Sequence, residues 1–367
     1  MRPRIPIGIL GVTGLVGRRV LARLADHPWF EVTEAGASDA SVGMSLDAIL
    51  HRAREDRGEV DAGRTFGSDR SEMAPNVTQG GVRSLSEVRG LSGEWTAPIL
   101  VSALPSSVAR DVEPRLAAAG HLVVSNASAH RADPSIPLVL PDVNPDHVEL
   151  LGTDGGILTN PNCSVATFVP PLARLHRAFG VEAVSVTTLQ AVSGAGSGGP
   201  TVLDLADNVL PNIRGEEEKV SREPRKLLGR VVDGRVQPAD FVVSATTTRV
   251  PVLHGHMVDV SVRLRGDPDP AEVRRALDDG HGEVFPEGPT LSQLRIRVHD
   301  DEMRPQTRLD RDLLGGMGVT VGRIRRCPVL GVRFLALAHN LERGAAGAAV
   351  ANAELVRIRG RIPGVPA

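Results

Sequence analysis

The run Ile5-Pro-Ile-Gly-Ile-Leu breaks into glycines at 11, 14 and 17, and then into the helical pattern Arg18–Ala25. A buried strand, a glycine turn and a helix in that order leave few folds open. The spacing of Gly11, Gly14 and Gly17 lets backbone approach a pyrophosphate, which then rests on the helix N-terminus. Such glycines count for little alone; here they stand in the strand–turn–helix context the motif needs. A second strand, Phe30–Ala37, follows at the distance of a βαβ unit and runs into Ala-Ser-Asp-Ala-Ser, residues 37–41. Dinucleotide-binding folds place an acid there for a ribose 2′-hydroxyl. Asp39 stands between Ser38 and Ser41, whose hydroxyls suit a 2′-phosphate, so the balance favours NADP although no arginine stands beside them.

Alternation continues downstream. We expect a helix around Leu46–Arg54, surface loops with one edge strand through residue 95, a strand at Pro98–Leu104, a helix at Val108–Ala119 and a strand at Leu122–Asn126. Strands that alternate with helices build a parallel, doubly wound α/β sheet whose ligands lie beyond the strand C-termini. Arg131, just past such an end, is placed to contact an anion. After residue 160 the pattern changes. Strands are expected at Val184–Gln190, Phe241–Val252, His256–Leu264, Val319–Ile324 and Val332–Leu337, with helical signals over Leu203–Ile213 and Arg214–Gly229. The small-residue stretch from Gly344 reads as a helix able to pack tightly back on the first part. With 367 residues there is room for two cores. The division expected is 1–160 with 345–367 for a Rossmann-type nucleotide domain, and 161–344 for an α+β catalytic and dimerisation domain.

Charge and cysteine content exclude several classes. A net charge of −2 provides no footprint for nucleic acid or an acidic membrane surface. Two cysteines argue against a disulfide framework and for a reducing, cytoplasmic setting. The run Ile5–Val16 is interrupted by glycine and lacks a cleavage site, so it does not read as a signal peptide. No stretch reaches the length of a membrane span.

Chemistry concentrates at Asn-Pro-Asn-Cys163-Ser, where a turn and N-cap signal leads into the apolar run Val165–Leu172. A cysteine in the first turn of a helix meets unpaired N–H groups and the positive end of the dipole, which favour the nucleophilic thiolate. The same N–H groups, with the Asn162 amide, are placed to hold an oxyanion. A buried structural cysteine is the competing reading of this stretch. Gln190 ends a strand before the glycine-dense loop Ala191–Pro200 and can orient a substrate carboxylate or amide. Lysine occurs only twice, as Lys219 and Lys226. With Glu223 they fall at i, i+4 and i+7, on one helix face, which points to a site for an anion and an ammonium together. His256 continues the apolar parity of its strand, so a core histidine is its plainer reading. His254-x-His256 lacks further ligands for a metal.

Taken together these motifs resemble the aspartate-semialdehyde dehydrogenase family, nearly end to end. The residues that carry the resemblance are Gly-Val-Thr-Gly-Leu-Val-Gly17, Ser-Asn-Ala-Ser-Ala-His-Arg131, Asn-Pro-Asn-Cys163-Ser, Leu-Gln190-Ala-Val-Ser-Gly, Gly-Glu-Glu-Glu-Lys219, Arg249-Val-Pro-Val-Leu-His-Gly-His256 and His-Asn340. The Pro-Asn-Cys-Ser and His-Gly-His forms look like the archaeal and fungal branch. The resemblance implies Cys163 as nucleophile, His256 as general acid/base and Gln190 as the group placing substrate over the thiol. It implies Arg249 and Glu223 on the substrate carboxylate and amino group, and Arg131 and Lys226 on phosphate. Gly11, Thr13, Gly14, Leu15, Val16, Gly17, Ser38, Ser41, Ser193, Gly194 and Asn340 are then the candidates for lining an NADP site. The implied reaction is reversible, NADP-dependent reduction of L-4-aspartyl phosphate to L-aspartate 4-semialdehyde with release of phosphate, in a homodimer or homotetramer. A reductase of another acyl phosphate, or of an acyl-CoA such as malonyl-CoA, is the alternative. Two departures stand out: Ala-Ser-Ala-His-Arg131 replaces the family's Ser-Ser-Ala-Phe-Arg, and Ala40 stands where the branch often has arginine.

Overall fold

The computed structural model describes residues 3–49, 51, 89–196, 199–278 and 287–365. Two six-stranded sheets carry it. The first is parallel and built from β1 (Ile5–Leu10), β2 (Phe30–Ala37), β3 (Arg89–Gly90), β4 (Ile99–Ser102), β5 (Leu122–Ser125) and β6 (Gly156–Thr159), in the order β3-β2-β1-β4-β5-β6. Helix α1 (Leu15–Leu24) links β1 to β2 and α2 (Ser106–Ala118) links β4 to β5. The order of the strands reverses beside β1, the crevice where such sheets bind ligands. The expected α/β, doubly wound class is what the chain forms.

The second sheet is mixed. It comprises β7 (Val181–Gln190), β10 (Val242–Arg249), β11 (His256–Leu264), β12 (Ile296–Val298), β13 (Val319–Cys327) and β14 (Gly331–Ala338), in the order β10-β7-β11-β14-β13-β12. A separate hairpin pairs β8 (Arg230–Val232) with β9 (Arg235–Gln237). Helix α3 (Cys163–Phe179) lays Val165, Phe168, Val169, Leu172 and Leu175 on this sheet's core. Helices α4 (Glu216–Leu227) and α5 (Pro270–Asp278) add Val220, Leu227, Val273 and Leu277.

A turn of π-helix, Glu342–Ala346, leads into α6 (Gly347–Ile358). Ala346, Ala349, Val350, Ala353 and Val356 complete the core of the first sheet, next to Ile7, Val20 and Val124. Small side chains let this helix approach closely, as the sequence implied.

The predicted helix over Leu203–Ile213 does not form. Asp207 takes a left-handed φ of 60°, and Leu210 exchanges both backbone hydrogen bonds with Arg249, at 2.9 and 3.0 Å. A bridge to β10 wins over a short helix whose Leu203 and Val209 are exposed. The helix expected from Leu46 is described only to Ile49 and at residue 51; the rest of that expectation, to Arg54, lies outside the described residues. The edge strand before residue 95 is the two-residue β3. Helix α5, the β8–β9 hairpin and β12 were not foreseen. All are short, and their apolar spacing is too brief to show a period.

Candidate active site

Strand order brings the chemistry to one rim. In the parallel pair β7–β10, Gln190 stands opposite Arg249, both at strand ends. Strand β11 runs antiparallel to β7 and begins at His256, so its first residue joins the same rim. His256 also pairs with Ala338 at the end of β14, which delivers Asn340 two residues later. Helix α3 begins at Cys163, immediately after the first sheet's last strand. The thiol therefore stands where the C-terminal edge of one sheet meets the rim of the other.

Cys163 Sγ lies 3.1 Å from His256 Nε2. The other ring nitrogen, Nδ1, accepts the Ala191 N–H at 3.0 Å, and the Ala191 carbonyl accepts from Arg249 Nη1 at 2.7 Å. Asn162 is the N-cap of α3: its Oδ1 accepts from Ser164 N at 2.9 Å and Val165 N at 3.4 Å. Two of its N–H groups reach carboxylates. Nδ2 donates to Glu216 at 2.6 Å and the backbone N–H to Glu223 at 2.6 Å. Asn162 is thus a cap and an anchor of the helix start, and Nδ2 has a second N–H beside the one given to Glu216.

The electrostatics differ from the sequence reading. Cys163 keeps part of its surface open, yet burial pushes the thiol up to about 12; Glu216 adds to that rise, while Arg131 and Arg249 oppose it. The helix N-terminus does not by itself produce a thiolate. Burial also presses His256 down to about 3, with Arg249 and His254 adding to the effect. Burial thus favours the neutral form of both the thiol and the imidazole. Glu216, which entered the sequence reading only within the motif Gly-Glu-Glu-Glu-Lys219, is a member of the site.

On helix α4 the predicted face divides. Glu223 is buried and accepts from Arg131 Nη1 at 3.3 Å and from Asn162. Lys226 is buried too, and its Nζ donates to the carbonyls of Arg131 (2.9 Å), Ile136 (2.7 Å) and Asp133. An ammonium has three donors, so Lys226 secures the loop that carries Arg131. Burial lowers its pKa to about 8. Lys219 is more open and pairs with Glu216 at 2.7 Å. Gln190 is buried with Nε2 3.3 Å from Thr188 Oγ1. His254 stacks on His339, ring centres 5.5 Å apart.

The glycine turn fits a dinucleotide. Gly11 has φ of 79°, and a Cβ on Gly17 would lie 2.1 Å from the Gly11 carbonyl oxygen. No side chain caps the N-terminus of α1 at Gly14, and its first turn holds no acid. Thr13, Gly14, Leu15 and Val16 therefore present an open positive end. Ser38 and Ser41 lie just past β2, around the turn Asp39–Ser41. On the opposite side, Asn340 Nδ2 donates to Ser193 Oγ at 2.9 Å and Asn340 Oδ1 accepts from Gly255 N at 2.8 Å. Gly194 leaves room beside the pair, since a Cβ there would lie 2.9 Å from His256 Nε2.

Residues 6–151 match the family model described as semialdehyde dehydrogenase, NAD binding domain, and residues 172–343 the one described as semialdehyde dehydrogenase, dimerisation domain. An aspartate-semialdehyde dehydrogenase from Archaeoglobus fulgidus is 40% identical, over 96% of this chain and 98% of its own. The chain belongs to the aspartate-semialdehyde dehydrogenase family. A fungal member from Cryptococcus neoformans is likewise 40% identical, over 98% of this chain and 99% of its own. The crystal structure of the Candida albicans family member with NADP superposes with a TM-score of 0.77 at 33% identity, covering 97% of this chain and 99% of that one. Archaeal and fungal members both appear among these relatives, in keeping with the branch its motifs resemble.

Proposed function

We propose that this family member catalyses the reversible, NADP-dependent reduction of L-4-aspartyl phosphate to L-aspartate 4-semialdehyde, with release of phosphate. One observation carries the reading. The only thiol at the meeting of the two sheets stands 3.1 Å from a buried imidazole, beside Arg249, Gln190, Glu223 and Arg131. The relatives' name and the NADP of the Candida albicans structure support the substrate and the dinucleotide.

In this reading Cys163 attacks the acyl carbon, the N–H groups of the first turn of α3 face the oxyanion, and His256 is the acid–base group at the reacting atoms. Gln190 places the carbonyl over sulfur. Arg249 and Glu223 hold the substrate's carboxylate and amino group, and Arg131 with Lys219 forms the cationic side that receives phosphate, with Lys226 adding its charge from behind while it holds the loop that carries Arg131. Bound along Gly11–Gly17, Ser38, Ser41, Ser193, Gly194 and Asn340, the dinucleotide would supply or take up the hydride. Residues 1–160 with 345–367 form the nucleotide domain, and 161–344 the catalytic and dimerisation domain of a homodimer or homotetramer. A cytoplasmic setting suits two free cysteines, and no helix among the described residues is long and apolar enough to cross a membrane.

The test is reduction of NADP by L-aspartate 4-semialdehyde with and without phosphate. Turnover that depends on phosphate is expected, and Cys163→Ala should abolish it while dinucleotide binding survives. Oxidation of NADPH by malonyl-CoA, without phosphate-dependent turnover, would keep the thiol chemistry and overturn the substrate.

A further inference from the structure

The loop that carries Arg131 leaves the end of β5 and is held on both sides of that residue. Beyond it, Lys226 gathers the carbonyls of Arg131, Asp133 and Ile136. Before it, the holder is α2, a helix that no step of the proposed reaction uses. Ser106, Ala109 and Glu113 fall at i, i+3 and i+7 of that helix and share one face. Ser106 Oγ lies 3.0 Å from Ser128 Oγ and accepts the Ser128 N–H at 3.0 Å. The Ala109 carbonyl meets His130 Nε2 at 3.4 Å, and Glu113 Oε2 faces the same nitrogen at 3.4 Å. Two acceptors converge on Nε2, so that nitrogen carries a hydrogen and donates.

Glu113 also secures the start of the loop. It is fully buried, and its Oε1 accepts from Ser125 Oγ at 2.7 Å. With its hydrogen committed there, Ser125 Oγ accepts the Ala127 N–H at 3.1 Å. One carboxylate therefore fixes residues 125 and 127 through one oxygen and residue 130 through the other. The loop closes on itself within this frame, since Arg131 Nη2 donates to the Asn126 carbonyl at 2.6 Å. Burial opposes the charge on Glu113, and Ser102, Ser125, His130 and Arg131 are the groups that favour it.

We propose that Glu113 and His130 are positioning residues that set Arg131, from behind, for the phosphate of the substrate. The proposal rests on the reading of Arg131 as a phosphate contact. His130 stands where the family motif has phenylalanine, which can donate to neither acceptor, so this clamp belongs to this sequence. Loss of His130 leaves the Lys226 anchor in place. The loop then shifts without coming free, and the deficit falls on phosphate binding and not on the thiol chemistry.

The test is the semialdehyde assay on the full-length protein, with NADP and L-aspartate 4-semialdehyde saturating and phosphate varied. His130→Phe and Glu113→Gln should each raise the KM for phosphate about fivefold, with kcat within about twofold of the wild type. His130→Gln, whose amide nitrogen reaches the place of Nε2 and donates, should restore most of the KM. The double variant Glu113→Gln/His130→Phe should be within about twofold of Glu113→Gln, because both changes open one clamp. Multiplying effects, a fall in kcat with KM unchanged, or His130→Gln as poor as His130→Phe would each overturn the proposal. Where Glu113→Gln does not fold, the two His130 variants decide it. Protection of Cys163 from iodoacetamide by inorganic phosphate makes the same comparison without the semialdehyde. Weaker protection in His130→Phe than in the wild type would uphold the clamp even if phosphate-dependent turnover were absent and the substrate reading fell. Equal protection in the two would overturn the clamp and leave that reading standing.

Discussion

Two glycines set the geometry of the reacting pair. A Cβ on Gly344, within the π-helical turn, would lie 2.6 Å from the Cβ of Cys163, and one on Gly194 would lie 2.9 Å from both His256 Nε2 and Arg249 Nη1. Gly344→Ala is therefore expected to displace the nucleophile and Gly194→Ala its partner. Each should lower kcat by at least about tenfold, since a misplacement near 1 Å is costly to a reacting pair. Dinucleotide affinity, measured by fluorescence titration, should survive in Gly344→Ala. Lys226 provides a pH test. Its pKa is lowered to about 8 by burial, so as pH rises through that value it loses a charge and one of three donors to the Arg131 loop. The KM for phosphate should climb above about pH 8, while in Lys226→Gln it is high throughout and shows no break there. The importance of this lysine was legible, because the chain keeps so few. Its partners were not: the nearest in sequence, Ile136, is 90 positions away, and no local pattern reports a carbonyl brought from there. The upward push of burial on the thiol was not legible either, since the helix dipole is visible in sequence and burial is not.

Helix α3 couples stability to the site. Asn162 caps two N–H groups and ties Glu216 and Glu223 to the helix start. Asn162→Ala should cost about 1 kcal/mol for the cap, read as a lower denaturation midpoint. Asn162→Asp keeps the cap oxygen but sets a second carboxylate against Glu216, so its deficit should grow when that carboxylate is ionised. The boundaries of β2 and β11 agreed with the sequence reading to the residue, because alternation over eight or nine positions is a strong signal. Helical spacing over Leu203–Ile213 misled because propensity yields to a backbone bridge with Arg249. Sequence pattern recovered the long elements and most residues of the rim, and what escaped it is held together by contacts distant in sequence.

At the scale of the molecule, Arg343 joins the parts. It is 2% exposed, and its Nη2 donates to both carboxylate oxygens of Asp142 at 2.7 Å, with Nε 3.5 Å from the Ala166 carbonyl in α3. Arg343→Ala would strand Asp142 in the interior, and a loss of about 3–5 kcal/mol is expected from chemical denaturation. Conversion of both partners to apolar residues of similar volume should recover much of it. The C-terminal helix has a different bearing. Asn352 Nδ2 donates to Asn160 Oδ1 across 192 positions of sequence, and α6 supplies the alanines that seal the first core. A nascent chain thus emerges with its nucleotide-binding half unsealed until the whole second sheet has left the ribosome. Chaperone dependence during synthesis should be greatest in that interval, and a chain released early would be a substrate for proteolysis before it could hold a cofactor.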